Sequence, residues 1–583
     1  MIYAPACAWP NRGLREGSSS RRLAAWAAPA LLGLILFTLA IRLAKPTDWL
    51  GSDDAAYYSA AEHVLTGVPI QRLHHQYARM AIILPIAASV WLFGEHPTAV
   101  WLPMLGASVA CVLLIAILGR VLLGWWEGIL AATVVSVLPY FRVLSTTAFP
   151  DVHACLWTTA AVLLAFAAVR RCRGAAAPSR PSETRIRELF LLVMSGLALG
   201  AAVSTKLFSA PVIAAIAYVV WIGRECSVRR RIVESTAIAF GGLVFFLCEG
   251  WFYHHAAADF FFTLHAHAQA TGIEAPAAAA SLRALCWQRL TMLFDTTTSG
   301  WGTLGVAFFP VMIIALFSTR MRFLAVWGLA TYLGVAFAPV GLENGIKLNP
   351  LFHGRHVLPA CVPFALALAW IAGHAVLRLF AGKTDRVHTA GPTVMLLTRI
   401  TPLAAVLALA YTDRHHLNGF CDRDTRRLGQ AITQIVESRE WPADRPIFMA
   451  PSLYWRYRIL FPSHVQALLR VAADDDAPQW WKTVCPDIAA RSAPLPPPDG
   501  AFLLATPLQL AGGCEHWDYG VRLPRTGLVE WAASEPLAAA IRGGPGELAL
   551  AGPPGRPDVI AVLLGARDSA NMADPVQTAQ GAK

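Results

Sequence analysis

Charged residues are scarce in this sequence. They make up 15% of its 583 residues, whereas hydrophobic residues make up 56%. A soluble globular domain carries about 25% charged residues, and so few charges cannot cover the surface of a water-soluble chain of this length. The composition therefore excludes an ordinary soluble enzyme, and the high apolar content excludes a disordered chain.

Cysteine is sparse as well, with 11 residues, which excludes a small disulfide-rich scaffold. The sequence has no CxxC pair and no Cys/His cluster of the kind that binds zinc. Four cysteines lie inside apolar stretches, where cysteine usually packs as a small polarizable residue: Cys111, Cys155, Cys248 and Cys361. Three fall in the polar C-terminal third, where one disulfide could form with a pairing that the sequence leaves open: Cys421, Cys485 and Cys514.

Long apolar blocks are present in number. They run to roughly 18–25 residues, the length that crosses a bilayer about 30 Å thick. The blocks predict a polytopic α-helical membrane protein: 23–43, 98–119, 128–144, 149–169, 189–205, 207–223, 232–250, 300–318, 323–340, 356–377 and 400–411. The first block follows several arginines and no clear cleavage site, so we interpret it as a retained anchor.

The basic residues set the predicted orientation. Lys and Arg outnumber Asp and Glu by 48 to 37, and most lie in short loops, as in cytoplasmic loops of membrane proteins rather than nucleic-acid surfaces. If all the blocks span, these loops share one side: 1–22, 170–187, 224–231, 319–322 and 378–399. Counting segment 80–94 as a span would break that pattern, and it contains Pro85. We therefore expect it to be re-entrant or interfacial, with about eleven spans, the N-terminus inside and the C-terminus outside.

The C-terminal part has a different composition. Short apolar runs at 446–450, 501–505 and 559–564 are bounded by Pro, Gly and Asp, as strands are, and a helical stretch precedes them. The sequence thus predicts four regions: a cytoplasmic segment 1–22, a transmembrane catalytic domain 23–411, an extracytoplasmic α/β domain 412–568 and a disordered tail 569–583.

Two adjacent carboxylates, Asp53 and Asp54, follow the first span. The structural interpretation, favoured by spacing alone, is the start of a helix capped by Ser52 or Asp53, because acidic residues stabilise the positive end of a helix. The functional interpretation is a general base at the membrane surface.

Other ionisable residues fall on the same predicted face. Singly, each is more often an interfacial residue than a functional one. Together they place acidic and basic groups at the outer ends of several spans: Asp151, His153, Lys206, Lys347, His353, Arg355, His356 and Arg79.

The order of these features resembles the GT-C glycosyltransferases of the protein O-mannosyltransferase type, whose bacterial members include the lipid A aminoarabinose transferase. That pattern comprises an acidic pair after the first span, a basic residue before a segment ending in LFG, an Asp that begins a span, a GLALG…TK segment and an Arg before LP…P. In this sequence the acidic pair is Asp53-Asp54, and the basic residue is Arg79 before WLFG at 91–94. The Asp that begins a span is in PD at 150–151, and the GLALG…TK segment is 196–206. The last motif is Arg355 with LP at 358–359 and Pro363. The likeness covers residues 20–380, and GLALG…TK is its most specific part.

The resemblance implies a GT-C fold and transfer of a sugar from a polyprenyl-phosphate donor to an acceptor hydroxyl, with inversion. Asp53 would be the base, while Asp54 or Asp151 would orient the acceptor or bind a divalent cation, the one cofactor considered. Cations would stabilise the phosphate leaving group, since an Arg can hold two phosphate oxygens at once. The candidates for donor phosphate binding are Arg79, Lys206, Arg355, His353 and His356.

Aromatic residues in the outer loops have two interpretations, stacking on a sugar or lying in the interfacial belt, and the belt is favoured. They are Tyr57, Tyr58, Trp251 and Tyr253, of which Tyr57 and Tyr58 are the candidates for substrate contact. The implied location is a bacterial inner membrane with the C-terminal domain in the periplasm. The sugar stays open, and so does the acceptor, which could be lipid, polysaccharide or protein.

Three other classes compete with this interpretation. A transporter or flippase would need ionisable residues or broken helices near the bilayer midplane, whereas here the ionisable residues lie at the ends of spans. An O-antigen polymerase or ligase would carry one dominant outer loop with Arg and His. A receptor would bind its ligand through residues 412–583 alone.

Overall fold

Most apolar blocks of the sequence form helices in the computed structural model of the chain. The structure describes residues 18–44, 46–70, 75–174, 181–222, 226–271, 282–296, 299–341, 347–348, 352–381, 392–413, 423–437, 445–449, 451–472, 492–493, 502–505, 548–551 and 559–563. The predicted tail 569–583, residues 1–17 and the three C-terminal cysteines lie outside these ranges. The chain divides into two compact units, Met1–Arg423 and Asp424–Lys583.

The first unit is built from helices. They are α1 Ser18–Leu43, α2 Asp53–Thr66, α3 Met80–Phe93, α4 Pro97–Leu122, α5 Trp125–Val137, α6 Pro139–Val143, α7 Asp151–Gly174, α8 Pro181–Thr205, α9 Ile213–Ala217, α10 Val228–Ala257, α11 Phe262–Thr271, α12 Leu282–Thr291, α13 Phe308–Phe317, α14 Arg322–Ala336, α15 Cys361–Ala381 and α16 Pro392–Thr412. Short 3-10 helices cover Leu207–Val212, Met292–Phe294, Gly302–Ala307 and Gly354–Ala360. Two short strands pair antiparallel, β1 Pro339–Gly341 and β2 Lys347–Leu348.

Among the described residues, five helical segments are long and apolar enough to cross a membrane: Pro97–Leu122, Asp151–Val169, Arg185–Thr205, Val228–Ala257 and Gly354–Ala375. Seven shorter apolar helical segments accompany them: Ala28–Leu43, Met80–Phe93, Trp125–Val137, Leu207–Ile222, Gly302–Phe317, Arg322–Ala336 and Ile400–Thr412. The fold is thus that of a polytopic helical membrane protein, while the count of eleven spans stays a prediction.

Two predicted blocks are interrupted. The block 128–144 breaks at Leu138, since α5 ends at Val137 and Pro139 begins α6, as expected where a proline cannot continue a helix. The block 207–223 begins as the 3-10 helix Leu207–Val212, continues as α9 and ends in a π turn at Tyr218–Ile222. Lys206 therefore lies between the end of α8 and an irregular segment.

Helices α4 and α5 cross where two glycines face each other. A Cβ at Gly128 would overlap the carbonyl oxygen of Ala116, and one at Gly119 would overlap the Cα of Gly128. The two backbones approach each other so closely because neither side of the crossing carries a side chain. The apolar core around the crossing includes Leu118 and Ala131, both fully buried.

We expect Gly128→Ala to lower the melting temperature of the purified protein. The added methyl group has no room at the crossing, and overpacking of this kind costs about 1–3 kcal/mol. Gly106→Ala is the matched control, because a Cβ at Gly106 in α4 meets nothing within 4 Å. Differential scanning fluorimetry in detergent checks both variants. Equal melting temperatures for the two would contradict the close crossing.

The second unit contains a sheet and short helices. Its strands are β3 Ile447–Met449, β4 Leu469–Ala472, β5 Ser492–Ala493, β6 Phe502–Ala505, β7 Leu548–Ala551 and β8 Val559–Leu563, in the order β5-β4-β3-β6-β8-β7. The pairs among β3, β4, β5 and β6 are parallel, and β8 pairs antiparallel with both β6 and β7. The helices are α17 Arg423–Glu437, α18 Pro451–Tyr457 and α19 Ser463–Gln466. That this unit is an independent α/β domain outside the membrane stays a prediction.

Candidate active site

The candidate residues come from one end of the helical bundle. Asp53 begins α2, Asp151 begins α7, and Lys206 directly follows α8. Two loops are tied together there, because the N–H groups of Thr47 and Asp48 donate to Thr146 at 2.8 and 2.9 Å. The loop that precedes the acidic pair therefore lies beside the loop that precedes Asp151.

Asp54 is occupied by backbone. Its carboxylate accepts the N–H groups of Leu50, Gly51, Ser52 and Ala55, at 2.6 to 3.3 Å. The side chain is 1% exposed, and burial raises the pKa of Asp54 to about 6, against the opposing effect of those four donors. Ser52 is the N-cap of α2, as one of the two structural interpretations predicts, and its hydroxyl accepts the N–H of Asp53.

A pH-dependent stability follows from this burial. Because the pKa of Asp54 is raised to about 6, from about 3.9 in an unfolded chain, the folded protein holds a proton between those values that the unfolded chain has released. The free energy of unfolding therefore falls as pH rises through this window, by roughly 3 kcal/mol. We expect Asp54→Asn to remove this contribution, since an amide does not titrate.

Melting temperatures of wild type and Asp54→Asn between pH 4 and pH 7 check this expectation. The variant should be less stable at pH 7, because an amide group offers one acceptor oxygen to four donors. Between pH 4 and pH 6, however, the melting temperature of the variant should fall by less than that of wild type. Parallel curves for the two proteins would contradict titration of Asp54 in this range.

Asp53 faces side chains rather than backbone. Its Oδ1 accepts a hydrogen bond from the Gln76 amide at 2.6 Å, and its Oδ2 lies 3.6 Å from Nη1 of Arg355. The Asp53 side chain is 18% exposed and that of Arg355 is 29% exposed. Of the three predicted acids, Asp53 is thus the one that solvent or a substrate reaches.

Asp151 and Lys206 form a buried ion pair. The ammonium group of Lys206 contacts Oδ1 of Asp151, with side chains 7% and 1% exposed. Helices α7 and α8 run antiparallel here, as the bond from the Ser195 hydroxyl to the Ala161 carbonyl at 2.7 Å shows, so the first residue of α7 meets the residue after α8. Oδ2 of Asp151 makes no hydrogen bond within the described part of the chain.

Arg79 precedes α3 and donates a hydrogen bond to the Tyr57 hydroxyl, with its guanidinium 5.6 Å from the centre of the Tyr57 ring. Tyr57 is fully buried, and burial raises the pKa of its phenol, which keeps the phenol neutral. Tyr58 is 2% exposed and packs edge-on against Trp49 at 6.1 Å.

The favoured position of the aromatic residues in the interfacial belt is wrong for Tyr57, Tyr58 and Tyr253, because all three lie inside the protein. Tyr253 donates to the carbonyl oxygen of Tyr77 at 2.9 Å. Trp251 differs, being 65% exposed. Contact of Tyr57 and Tyr58 with a substrate stays a prediction.

The Gly354–Ala360 3-10 helix and its N-cap His353 carry the remaining candidates for phosphate binding. Arg355 lies over the Phe149 ring at 4.9 Å, and the His356 ring packs against Phe208 at 5.3 Å. The N–H of His353 donates to Nδ1 of His356 at 3.3 Å, which leaves Nε2 of a neutral His356 as a hydrogen-bond donor. The charges of Lys206, Arg355 and Arg79 all act on His356.

The predicted site residues thus meet at one place, though not in one role. Three residues that the sequence analysis did not single out support them, namely Gln76, Phe149 and Phe208. No local motif marks these three. Among the residues that the structure describes, no group of three or more His, Cys, Asp or Glu is placed to hold a metal ion.

No family model and no curated protein matches the sequence. The fold, by contrast, is similar to that of solved ArnT structures. ArnT from Cupriavidus metallidurans in the apo state matches with a TM-score of 0.54 and 12% identity, over 93% of this chain and 98% of that chain. The same protein bound to undecaprenyl phosphate matches with a TM-score of 0.52 and 13% identity, over 92% and 98%. These likenesses confirm the fold that the sequence resemblance implied.

Proposed function

We propose that the protein is a glycosyltransferase that moves a sugar from a polyprenyl-phosphate donor to an acceptor hydroxyl at the outer face of a bacterial inner membrane. The observation that carries the proposal is the meeting of an accessible carboxylate, Asp53, with Arg355, beside the buried Asp151–Lys206 pair and the Arg79 guanidinium. The ArnT fold supports the same chemistry, since one of its structures holds undecaprenyl phosphate.

The cations suit the leaving group. Departure of a polyprenyl phosphate leaves negative charge at the bond that breaks, and fixed cations in a partly buried site stabilise that charge. Arg355, 29% exposed, is more accessible to it than the buried Lys206. Nε2 of His356 supplies a further donor. The five predicted phosphate ligands therefore divide into Arg355 with its two histidine neighbours, the half-buried Arg79 and the buried Lys206.

The three acids differ in what they can do. Asp53 is the base, because it is the most exposed of the three and is oriented by the Gln76 amide and by Arg355. Asp151 is buried and holds Lys206 in place. Asp54 fixes the turn that presents Asp53. Attack by the acceptor oxygen is direct, so the anomeric carbon inverts.

The membrane supplies the rest of the proposal. A polyprenyl chain needs an apolar path beside the helices, and α10 exposes large apolar side chains along its length, including Phe240, Leu243 and Leu247. The catalytic domain is 23–411, the domain 412–568 is periplasmic, and the acceptor is an envelope lipid, polysaccharide or protein. The sugar is a hexose or a pentose.

Mass spectrometry of cell-envelope glycans tests the function. The strains are wild type, a deletion, and the deletion carrying either Asp53→Asn or the control Asp48→Asn at normal protein level. We expect one sugar mass to disappear in the deletion and Asp53→Asn strains and to persist with Asp48→Asn. A normal glycan profile in the Asp53→Asn strain, beside a changed deletion strain, would favour a transporter or scaffold instead.

A further inference from the structure

A tight turn at residues 299–303, with the sequence SGWGT, lies directly behind Arg355. Trp301 is fully buried, and its indole N–H donates to the carbonyl oxygen of Gly354 at 3.1 Å. A Cβ at Gly354 would overlap the carbonyl oxygen of Ser299, so the two backbones touch. The turn therefore fixes the backbone of the residue just before Arg355.

The turn is itself held from the far side by Asp413. Oδ2 of Asp413 accepts the N–H of Thr303 at 2.9 Å, and Oδ1 accepts the Thr303 hydroxyl at 2.7 Å. Asp413 is 3% exposed and directly follows the last residue of α16. Gly302 has a φ of +58° and no room for a Cβ against Oδ2 of Asp413, so the turn is shaped to admit this carboxylate.

We infer that Asp413 is a positioning residue for Arg355. The connection runs from Asp413 through two half-buried hydrogen bonds to Thr303, then along the backbone of the turn to Trp301, and from the Trp301 indole through a buried hydrogen bond to Gly354. The inference rests on the proposed function, in which Arg355 binds the donor phosphate.

Other contacts hold the turn on two further sides. Trp301 packs edge-on against Phe308 at 5.6 Å, and Tyr140 donates its N–H to Gly300 at 2.9 Å. With these sides fixed, we expect a displaced Thr303 to shift the contact between the turn and Gly354. Loss of Asp413 is therefore expected to alter phosphate binding through Arg355 rather than to unfold the bundle.

The test is a double-mutant cycle on the dissociation constant of undecaprenyl phosphate, measured by thermal shift on the purified full chain in detergent. The variants are Arg355→Gln, Asp413→Leu and the combination of both. We expect Asp413→Leu to weaken binding roughly tenfold in the wild-type background and less than twofold beside Arg355→Gln, because residues of one network are not additive.

Milder variants keep the test valid if Asp413→Leu does not fold. Thr303→Val removes one of the two bonds and should weaken binding by a few-fold, again only when Arg355 is present, whereas Asp413→Asn can keep both bonds and should bind nearly as wild type. Ser195→Ala is the control, a buried hydroxyl at the α7–α8 contact. Equal losses with and without Arg355, or no loss, would overturn the inference. If the wild type binds no undecaprenyl phosphate, the proposed function fails and the inference with it.

Discussion

Asp53→Asn is expected to reduce sugar transfer to below a few per cent of wild type while leaving the melting temperature unchanged. A positioned general base contributes roughly 10²–10⁴ to the rate, and an amide cannot take the proton of the acceptor hydroxyl. The amide oxygen can still accept the bond from Gln76 that Asp53 accepts at 2.6 Å, so the fold keeps its contact. Turnover of a polyprenyl-phosphate sugar by purified protein is the measurement.

The matched control for this variant is Asp48→Asn. Asp48 lies five residues earlier, has a φ of +62°, and accepts the Trp101 indole N–H at 3.0 Å. Asparagine tolerates that backbone conformation and can accept the same bond, so activity and stability should both stay near wild type. Retention of more than a few per cent activity in Asp53→Asn would remove Asp53 from the role of base.

Lys206→Met is expected to lower both the stability and the turnover. The substitution leaves the carboxylate of Asp151, 1% exposed, without its cation, and breaking a buried pair from one side costs about 3–5 kcal/mol. The double variant Lys206→Met, Asp151→Asn removes both charges and should recover most of the melting temperature. Its turnover should stay low, because the ammonium charge behind the leaving phosphate is still missing.

A more exposed pair outside the site gives the control. Nδ1 of His265 in α11 lies 2.7 Å from Oδ2 of Asp259, with side chains 57% and 29% exposed, and such surface pairs contribute about 0–1 kcal/mol. His265→Gln should therefore change neither property much. If the Lys206–Asp151 double variant regained turnover together with stability, Lys206 would serve the fold and not the reaction.

The sequence predicts more of the fold than of the site. Apolar block length predicts the membrane helices, because crossing a bilayer demands it, and the placement of arginines predicts their orientation. Asp53, Asp151, Lys206 and Arg355 could be singled out because they are ionisable residues at the outer ends of apolar blocks and fall within the motifs of the resembled family. The sequence resemblance then supplied the fold, which the likeness to ArnT confirms.

The division of roles among these residues lay beyond the sequence. Adjacent Asp53 and Asp54 have the same chemistry. Only the geometry of the turn shows that Asp54 accepts backbone N–H groups while Asp53 faces Arg355. The burial of Tyr57 depends on α3 packing against α2, which no local pattern encodes. The partners Thr303 and Asp413 are 110 positions apart, so no motif search would pair them.

The antiparallel contact of α7 with α8 has a consequence for biosynthesis. Asp151 and Lys206 belong to neighbouring helices, so their ion pair can form as soon as this hairpin has entered the membrane, whereas Arg355 is made some 150 residues later. Since chains are synthesised from the N-terminus at about 5–20 residues per second, the Asp151–Lys206 pair exists for several seconds before Arg355 is made. A ribosome stalled before Gly354 would leave a membrane-inserted chain whose Asp151–Lys206 pair is complete and whose Asp53 has no Arg355 to face.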